Sequence, residues 1–205
     1  GGGPSGVELA CKLADLTAGK ALVELIEQGE TLLPSSRAFN REQAKLSLQR
    51  RDVRVRTRTQ VVEVGCDRLL LRRLPEGEQE VVPVEGVIWT AGQRCRPPRI
   101  SPEVPTDGRG RLPCRADLRL QGHDSVFVVG DLAAVPHVEL AAEASLPTTA
   151  QVAFQQAPVV AANLLHSLRG EPLQPFRWND LGEMLSLGRG EAAVTGAGLT
   201  LAGPA

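Results

Sequence analysis

The sequence contains no tyrosine, and aromatic residues make up only 3% of its 205 residues. Hydrophobic residues nevertheless reach 42%, so we expect a full core built mostly from leucine, valine and alanine. Lysine occurs only at positions 12, 20 and 45, and the formal net charge is −1. Without a basic surplus to neutralise phosphates, nucleic acid is not expected as the main partner.

Long apolar runs and paired cysteines are also missing. No run of 18 apolar residues and no signal peptide occurs, so the sequence predicts no membrane-spanning segment. The four cysteines lie far apart at Cys11, Cys66, Cys95 and Cys114. Because none forms a C-x-x-C pattern, we predict reduced structural thiols and no metal site. The chain opens at Gly1 and its one methionine is Met184, so we expect a fragment or a processed product.

The opening residues match the phosphate-binding pattern G-x-G-x-x-G, with Gly1, Gly3 and Gly6 in the three glycine places. Gly1 makes the tight turn, Gly3 lets the backbone approach a pyrophosphate, and Gly6 lets the next helix pack closely. The pyrophosphate would lie on the positive N-terminus of that helix. The pattern alone also fits a glycine-rich loop without a ligand, so its meaning depends on the elements that come after it in the chain.

The elements after the glycines favour a nucleotide site. Residues 5–19 have helical apolar spacing, and residues 21–26 predict the second parallel strand. Glu27 comes directly after that strand and about 20 residues after Gly6, where an acid binds the ribose hydroxyls of an adenosine. Its charge would oppose a 2′-phosphate, so we predict a preference for NADH over NADPH. The alternative interpretation is a solvated loop glutamate.

The rest of the first half alternates helix and strand patterns. We predict a helix over residues 36–50 with Ser36 as its N-cap. The alternating residues 53–58 predict a half-buried strand. Arg54, Arg56 and Arg58 share one of its faces, either as a solvated face or as a phosphate contact. Further strands are predicted over residues 60–64, 69–74, 80–82 and 86–89. The small residues Thr90-Ala91-Gly92 then form a turn where backbone can contact a cofactor.

The second half begins with the proline-rich residues 93–115, which predict a crossing segment between domains. Val126–Val129 is apolar throughout, as in a buried parallel strand, and Gly130-Asp131 would then face a ligand crevice. Residues 148–169 predict a long helix with Gln151 and Gln155 on one face. Pro158 is expected to kink this helix or end it early. Two short strands are predicted over residues 175–178 and 181–187, before a glycine-rich tail.

Five stretches occur in order and with fitting spacing, and together they resemble the flavoprotein reductases with two dinucleotide-binding domains. They are Gly1–Ala10, Trp89–Gly92, Val126–Asp131, Ala150–Gln155 and Phe176–Met184. Among those reductases the chain is most similar to the non-proton-pumping type II NAD(P)H:quinone oxidoreductases. Residues 181–189 resemble the C-type branch of plants, algae and cyanobacteria. The resemblance covers nearly the whole chain and implies an α/β, Rossmann-like FAD/NAD(P)-binding fold whose first domain is only partly present.

The resemblance implies FAD and NAD(P)H as cofactors and a membrane quinone of the plastoquinone, phylloquinone or ubiquinone class as electron acceptor. It implies an NAD(P)H domain over residues 1–92, the returning part of the FAD domain over 93–170, and the start of a quinone- and membrane-side region over 171–205. The implied NAD(P)H contacts are Gly1, Gly3, Gly6, Glu8, Glu27, Ala91 and Gly92. The implied FAD contacts are Gly130, Asp131 and Gln151, and the implied quinone contacts are Gln151 and Gln155.

The resemblance also sets expectations about the whole protein. The N-terminal FAD half and a C-terminal amphipathic anchor are expected outside this sequence, so this chain alone is expected to be inactive. Peripheral attachment to a plastid thylakoid or plastoglobule is implied, with a mitochondrial inner membrane or a cyanobacterial membrane as alternatives, and a homodimer is possible. Leu181 stands where many type II enzymes carry lysine, which removes a cation from the implied quinone site.

Two other classes remain open on the residues alone. A disulfide reductase of the glutathione or lipoamide type would use a His-Pro pair, but only His166 occurs after Gln151. A Rossmann unit normally has a strand just before its glycine turn, and this strand is missing because the sequence begins at the turn. A non-catalytic remnant that binds a nucleotide weakly, or only a partner protein, would fit that missing strand. The absence of a catalytic triad fits a flavoprotein, because the flavin carries the hydride and electrons while the protein positions it.

Overall fold

The computed structural model describes residues 1–136 and 145–204, and it divides the chain into two compact units. The first unit combines Gly1–Gly92 with Leu181–Ala205, and the second is Gln93–Asp180. The chain therefore returns to the first unit at Leu181. The segment 171–180, which the sequence assigned to the C-terminal region, belongs to the second unit.

Within the described residues, the helices are α1 (Pro4–Thr17), α2 (Ala38–Arg50) and α3 (Ala150–Arg169). The strands are β1 (Glu24–Ile26), β2 (Arg54–Arg56), β3 (Thr59–Val64), β4 (Arg68–Arg73), β5 (Gln79–Pro83), β6 (Leu112–Pro113), β7 (Ala133–Ala134), β8 (Glu183–Ser186), β9 (Glu191–Gly196) and β10 (Leu199–Pro204). The three predicted helices and the predicted strands that correspond to β1–β5 are therefore confirmed, with small shifts at their ends.

The core of the first unit forms where α1 and α2 pack beside the parallel pair β1–β2, in which Leu25 lies opposite Val55. Pro4 stands in the first turn of α1, where its missing N–H removes no helical hydrogen bond. The buried apolar members of this core include Val7, Ala10, Cys11, Leu25, Ala44, Leu48, Leu185, Leu187 and Ala193. Aliphatic side chains dominate it, as the scarcity of aromatic residues requires.

Two antiparallel sheets complete the first unit, with strand orders β3-β4-β5 and β10-β9-β8. The second sheet buries Leu185 and Ala193 on one face. On its other face Met184 and Val194 are directly paired and exposed. Arg51 ties this sheet to α1, because its guanidinium donates to Asp15 at 2.8 Å and to Glu191 at 2.9 Å. The glycine-rich tail folds as the antiparallel hairpin β9–β10, which its composition alone did not indicate.

The start of α2 differs from the prediction. Arg37, not Ser36, is the N-cap residue, and no side chain of its own caps the helix. The Arg37 N–H instead donates to the carboxylate of Glu183 at 3.0 Å, and Asn40 Nδ2 donates to the same oxygen at 3.1 Å. An acid from β8 thus accepts from the N–H of the N-cap residue, one of the backbone donors at a helix start that have no partner within the helix.

The second unit is built on α3 and the short parallel pair β6–β7. Thr149 caps α3 by accepting from Val152 N–H at 3.3 Å, and Gly170 ends it in a left-handed conformation with φ of 67°. The helix runs through Pro158, so the expectation that it ends early is wrong. Pro158 lies on the exposed side of α3, where its ring does not disturb the packed face.

Three predicted strands are absent from the described residues, namely 86–89, 126–129 and 175–178. Val126–Val129 folds back on the preceding segment, with Leu120 N–H donating to Val126 O and Val128 N–H donating to Leu118 O. These bonds make one antiparallel bridge between Arg119 and Phe127, which is shorter than a strand and is not the expected parallel pairing. Val126 and Val129 are consequently exposed rather than buried, as are Val87, Ile88 and Trp89.

Candidate functional site

The first candidate site is the glycine turn, defined here as residues 1–6. A Cβ on Gly6 would lie 1.8 Å from the carbonyl oxygen of Gly1, so the start of α1 approaches the turn too closely for any side chain. A Cβ on Gly1 would lie 2.9 Å from Ala91, and Thr90 Oγ1 donates to Gly1 O at 3.2 Å. The structure thus brings Gly1, Gly6 and Ala91 together.

Gly3 occupies a different environment from the other two glycines. No atom lies within 4 Å of the position that its Cβ would take. Gly3 is the N-cap residue of α1, so its open side lies beside the positive end of the helix. This is the geometry that a phosphate-binding turn needs, since the ligand itself would occupy the space that a side chain would fill.

Glu27 contacts the glycine turn directly. It comes directly after β1, and its two carboxylate oxygens accept from Gly2 N–H at 2.5 Å and from Gly29 N–H at 2.6 Å. Glu27 is half-buried, and both of its carboxylate oxygens are bound by backbone donors. A carboxylate at this edge of the turn is placed to accept from hydroxyl donors of a ribose. Gly92, the last predicted contact in this unit, has a left-handed φ of 77°.

Glu8 lies apart from this group in its interactions. Its carboxylate accepts from the N–H of Ser186 at 2.8 Å, which links α1 to β8. The arginines of β2, Arg54 and Arg56, and Arg58, which lies beyond the end of β2, are also paired with glutamates. Arg54 pairs with Glu24 at 2.7 Å, Arg56 with Glu80 at 2.7 Å, and Arg58 with Glu30 at 2.8 Å. Each of these three arginines therefore has a glutamate as its counter-charge.

The second candidate site is the turn Gly130–Asp131 in the second unit, where a three-residue 3-10 helix spans Gly130–Leu132. Gly130 has a φ of 70°, a conformation that favours glycine. The Asp131 carboxylate accepts from Gln93 Nε2 at 2.9 Å, and its backbone carbonyl accepts from the Cys95 thiol at 3.2 Å. The segment 93–95 therefore positions Asp131.

Gln156 was missed by the sequence analysis. Its side chain is only 1% exposed, and its Oε1 accepts from Gly130 N–H at 2.7 Å. A signal was available: Gln156 lies on the buried stripe of α3 with Val152 and Asn163, where a polar residue needs a hydrogen-bond partner. The buried stripe does not indicate which group is the hydrogen-bond partner of Gln156.

Gln151 and Gln155 both contact the segment that comes after α3. Trp178 Nε1 donates to Gln151 Oε1 at 3.2 Å. Gln155 donates to Asn179 O at 2.9 Å and accepts from Asn179 N–H at 3.0 Å. Gln155 thus bonds a neighbouring backbone through both ends of its amide. The oxygen of Gln151 instead accepts from the indole of Trp178.

The four cysteines are all free, and burial raises the pKa of the Cys114 thiol to about 11. Among residues 1–136 and 145–204, no group of three metal-ligating side chains is close enough to hold a metal ion. In the same part of the chain, no helix is long and apolar enough to cross a membrane.

The parallel pair β1–β2, the glycine turn and the acid after β1 define a dinucleotide-binding α/β protein. A family model described as pyridine nucleotide-disulphide oxidoreductase matches residues 1–157. The chain belongs to this family. The Rossmann-like fold class expected from the sequence is therefore confirmed.

Known proteins agree with this placement. The chain is 38% identical over 205 residues to demethylphylloquinone reductase NdbB of Synechocystis sp., covering 100% of the chain and 50% of that protein. It is 32% identical over 221 residues to the alternative NAD(P)H-ubiquinone oxidoreductase C1, chloroplastic/mitochondrial, of Arabidopsis thaliana, covering 100% of the chain and 42% of that protein. The chain thus spans about half the length of the curated relatives it matches.

Among solved structures, NDH2 of Plasmodium falciparum in complex with NADH superposes with a TM-score of 0.79 at 16% identity. The match covers 99% of this chain and 57% of that one, and at this identity it shows the fold alone. The chain is also 30% identical over 216 residues to the type II NADH:quinone oxidoreductase of Staphylococcus aureus, covering 99% of the chain and 52% of that protein. The names of the three relatives confirm the resemblance to type II NAD(P)H:quinone oxidoreductases that the motifs predicted.

Proposed function

We propose that the complete protein containing this chain is an FAD-dependent oxidoreductase that passes electrons from NAD(P)H to a membrane quinone without pumping protons. The quinone belongs to the plastoquinone, phylloquinone or ubiquinone class. The observation that carries the proposal is the similarity over the full chain to relatives named as quinone reductases. Bound FAD supplies the redox chemistry, accepting hydride from the nicotinamide and releasing electrons to the quinone.

The first unit is proposed to hold NAD(P)H. The open side of Gly3 at the start of α1 fits a pyrophosphate, because helix N-termini attract anions. The carboxylate of Glu27 would accept from the ribose hydroxyls of the adenosine, either in place of its present backbone donors or in addition to them. Gly1, Gly6 and Ala91 shape the turn by close approach, and Gly92 extends that backbone surface. Glu8 is also proposed as an NAD(P)H contact, and its carboxylate already accepts from the Ser186 N–H.

The second unit is proposed to contribute part of the FAD site. The Gly130–Asp131 turn has a backbone conformation held from two sides, by Gln156 and by the segment 93–95. A carboxylate fixed in this way can accept from ribityl hydroxyls of FAD. Gln151 is proposed to contact FAD and, with Gln155, the quinone. An amide donor aimed at a quinone carbonyl stabilises the negative charge that develops there.

Attachment to a membrane surface and a plastid location are further parts of the proposal. The plant relative is named as chloroplastic/mitochondrial and the other comes from a cyanobacterium, which supports a photosynthetic or mitochondrial membrane. The attachment would use a segment outside this sequence, and a homodimer is proposed. Fractionation of tissue or cells, and then a salt wash of the membranes, tests this part separately from the chemistry.

The function is tested on the purified complete protein. We expect a flavin absorbance spectrum, bleaching on addition of NADH or NADPH, and its recovery on addition of a short-chain plastoquinone or ubiquinone analogue. Glutathione disulfide and lipoamide serve as control acceptors. Recovery with a disulfide but not with any quinone would replace the proposal by a disulfide reductase, and the absence of a flavin spectrum would support a non-catalytic protein.

A further inference from the structure

Arg58 lies beside the loop that comes after β1 and carries Glu27. Its N–H donates to Gly29 O at 2.8 Å, and the next residue, Thr59, donates to Glu27 O at 2.9 Å. The backbone therefore fixes Arg58 at the carboxyl ends of β1 and β2. In parallel α/β sheets, this is the edge at which ligands bind.

The side chain of Arg58 is held by an exposed ion pair. Its side chain is 55% exposed, and its guanidinium lies 2.8 Å from Glu30, whose side chain is 75% exposed. Such surface pairs contribute about 0 to 1 kcal/mol, so a stronger anion can displace Glu30. Arg58 also has a left-handed φ of 50°, an uncommon conformation for a residue other than glycine. Uncommon backbone conformations concentrate at ligand-binding positions.

We propose that Arg58 is a specificity-determining residue that leaves Glu30 and binds the 2′-phosphate of NADPH. The proposal rests on the proposed NAD(P)H function and names how NADPH is accepted despite Glu27. Arginine binds phosphate through charge-assisted hydrogen bonds that are stronger than its exposed pair with a carboxylate. When no phosphate is bound, the guanidinium of Arg58 stays paired with Glu30. Glu27 and Arg58 thus act in opposite directions on the choice between NADH and NADPH.

Arg54, at the start of β2, provides a control. Its side chain is also 55% exposed and also pairs with a glutamate at 2.7 Å, although this partner, Glu24, is only 15% exposed and also pairs with Arg56. Arg54, however, lies at the start of β2, where its N–H donates to Val23 O. At about 3.3 Å per residue, the four residue steps from Arg54 to Arg58 correspond to roughly 13 Å of extended chain. A nonspecific effect of removing one positive charge would be the same at both positions.

The test compares binding of 2′-phospho-ADP-ribose and ADP-ribose to the complete protein by calorimetry. For Arg58→Ala, the ratio of the first dissociation constant to the second should rise about tenfold, because one charge-assisted phosphate contact is lost. Glu30→Gln should lower the ratio about threefold, because the competing carboxylate is removed. Arg58→Lys should restore part of the ratio, and Arg54→Ala should leave it near that of the wild type.

Equal ratios for Arg58→Ala and Arg54→Ala would overturn the proposal. If Arg58→Ala does not fold, Glu30→Gln decides, and an unchanged ratio in that variant would overturn the proposal as well. The binding measurement does not depend on flavin reduction, so it tests the role of Arg58 separately from the proposed function. Failure of both nucleotides to reduce the flavin contradicts the proposed function, whereas a ratio that does not depend on Arg58 contradicts only this inference.

Discussion

The buried amide of Gln156 accepts a hydrogen bond from the backbone N–H of Gly130 at 2.7 Å. The bond joins α3 to the turn that is proposed to contact FAD. Because Gln156 is only 1% exposed, water does not readily replace it as an acceptor. Gln156 therefore holds the Gly130 side of a turn whose Asp131 side is held by Gln93 and Cys95, and this relationship leads to the first prediction.

Gln156→Leu should lower the free energy of unfolding by about 1 to 3 kcal/mol, because it leaves the Gly130 N–H without its acceptor. The same variant of the complete protein should purify with less bound FAD. Urea denaturation and flavin absorbance per protein measure the two effects. Gln156→Glu keeps an acceptor oxygen and serves as the control for the geometry. A Leu variant with unchanged stability and unchanged flavin content would contradict the positioning role.

Gly6 and Gly3 should respond differently to alanine. Gly6→Ala places a Cβ 1.8 Å from Gly1 O and should destabilise the first unit by about 1 to 3 kcal/mol. Gly3→Ala meets no atom within 4 Å and should leave the unfolding free energy within about 0.5 kcal/mol of the wild type. Gly3→Ala should nevertheless weaken NAD(P)H binding, because its Cβ fills the space proposed for the pyrophosphate.

Thermal unfolding and nucleotide titration of the two alanine variants separate folding from binding. The prediction requires that Gly3→Ala affects only the titration and that Gly6→Ala affects both measurements. If Gly3→Ala binds NADH as tightly as the wild type, the pyrophosphate does not lie on this turn.

Gln151→Leu should slow quinone reduction while leaving flavin reduction by NAD(P)H nearly intact. Losing one aimed donor typically costs roughly tenfold to a thousandfold in rate. Trp178→Phe tests the same site differently, because it removes the indole N–H that donates to Gln151 Oε1 but keeps an aromatic ring. Stopped-flow measurements of the two half-reactions separate the steps. An equal slowing of the reductive half, or no slowing of the oxidative half, would rule out the quinone contact.

The stability of the protein should fall as the pH rises above about 8.5, the ordinary pKa of a thiol. Burial raises the pKa of Cys114 to about 11, so between these values the unfolded chain loses a proton that the folded chain keeps. Stability from this group is fully present below about pH 8.5 and is lost towards pH 11. The absence of tyrosine removes the phenols that would otherwise titrate in this window.

Urea unfolding between pH 7 and pH 10 measures this dependence. Cys114→Ala should reduce the slope of unfolding free energy against pH, although Cys11, whose pKa is also raised by burial, keeps part of it. Cys66→Ala is the control, because Cys66 is exposed. Identical slopes for wild type and Cys114→Ala would contradict the prediction.

Local patterns were sufficient for much of the first unit. The spacing of Gly1, Gly3 and Gly6 predicted the turn, and the spacing to Glu27 predicted an acid at its edge, which the structure places on Gly2 N–H. The helices and the strands β3–β5 could be predicted from periodicity, because their hydrogen bonds are within the helix or to the next strand in sequence. The family could also be predicted from the sequence, since it depends on ordered motifs rather than on contacts.

Only the tertiary structure decided which groups meet across long separations in sequence. The apolar run 86–89 did not become a strand, because a strand needs a backbone partner that an apolar pattern does not supply. The run 126–129 formed one antiparallel bridge between Phe127 and Arg119 instead of the expected parallel strand. The N-cap of α2 is Arg37 and not Ser36, and its N–H donates to Glu183. Gln156 accepts from the N–H of Gly130, and Gln155 accepts from the N–H of Asn179. A sequence specifies that a polar group will need a partner, but the partner is chosen by the folded chain that surrounds it.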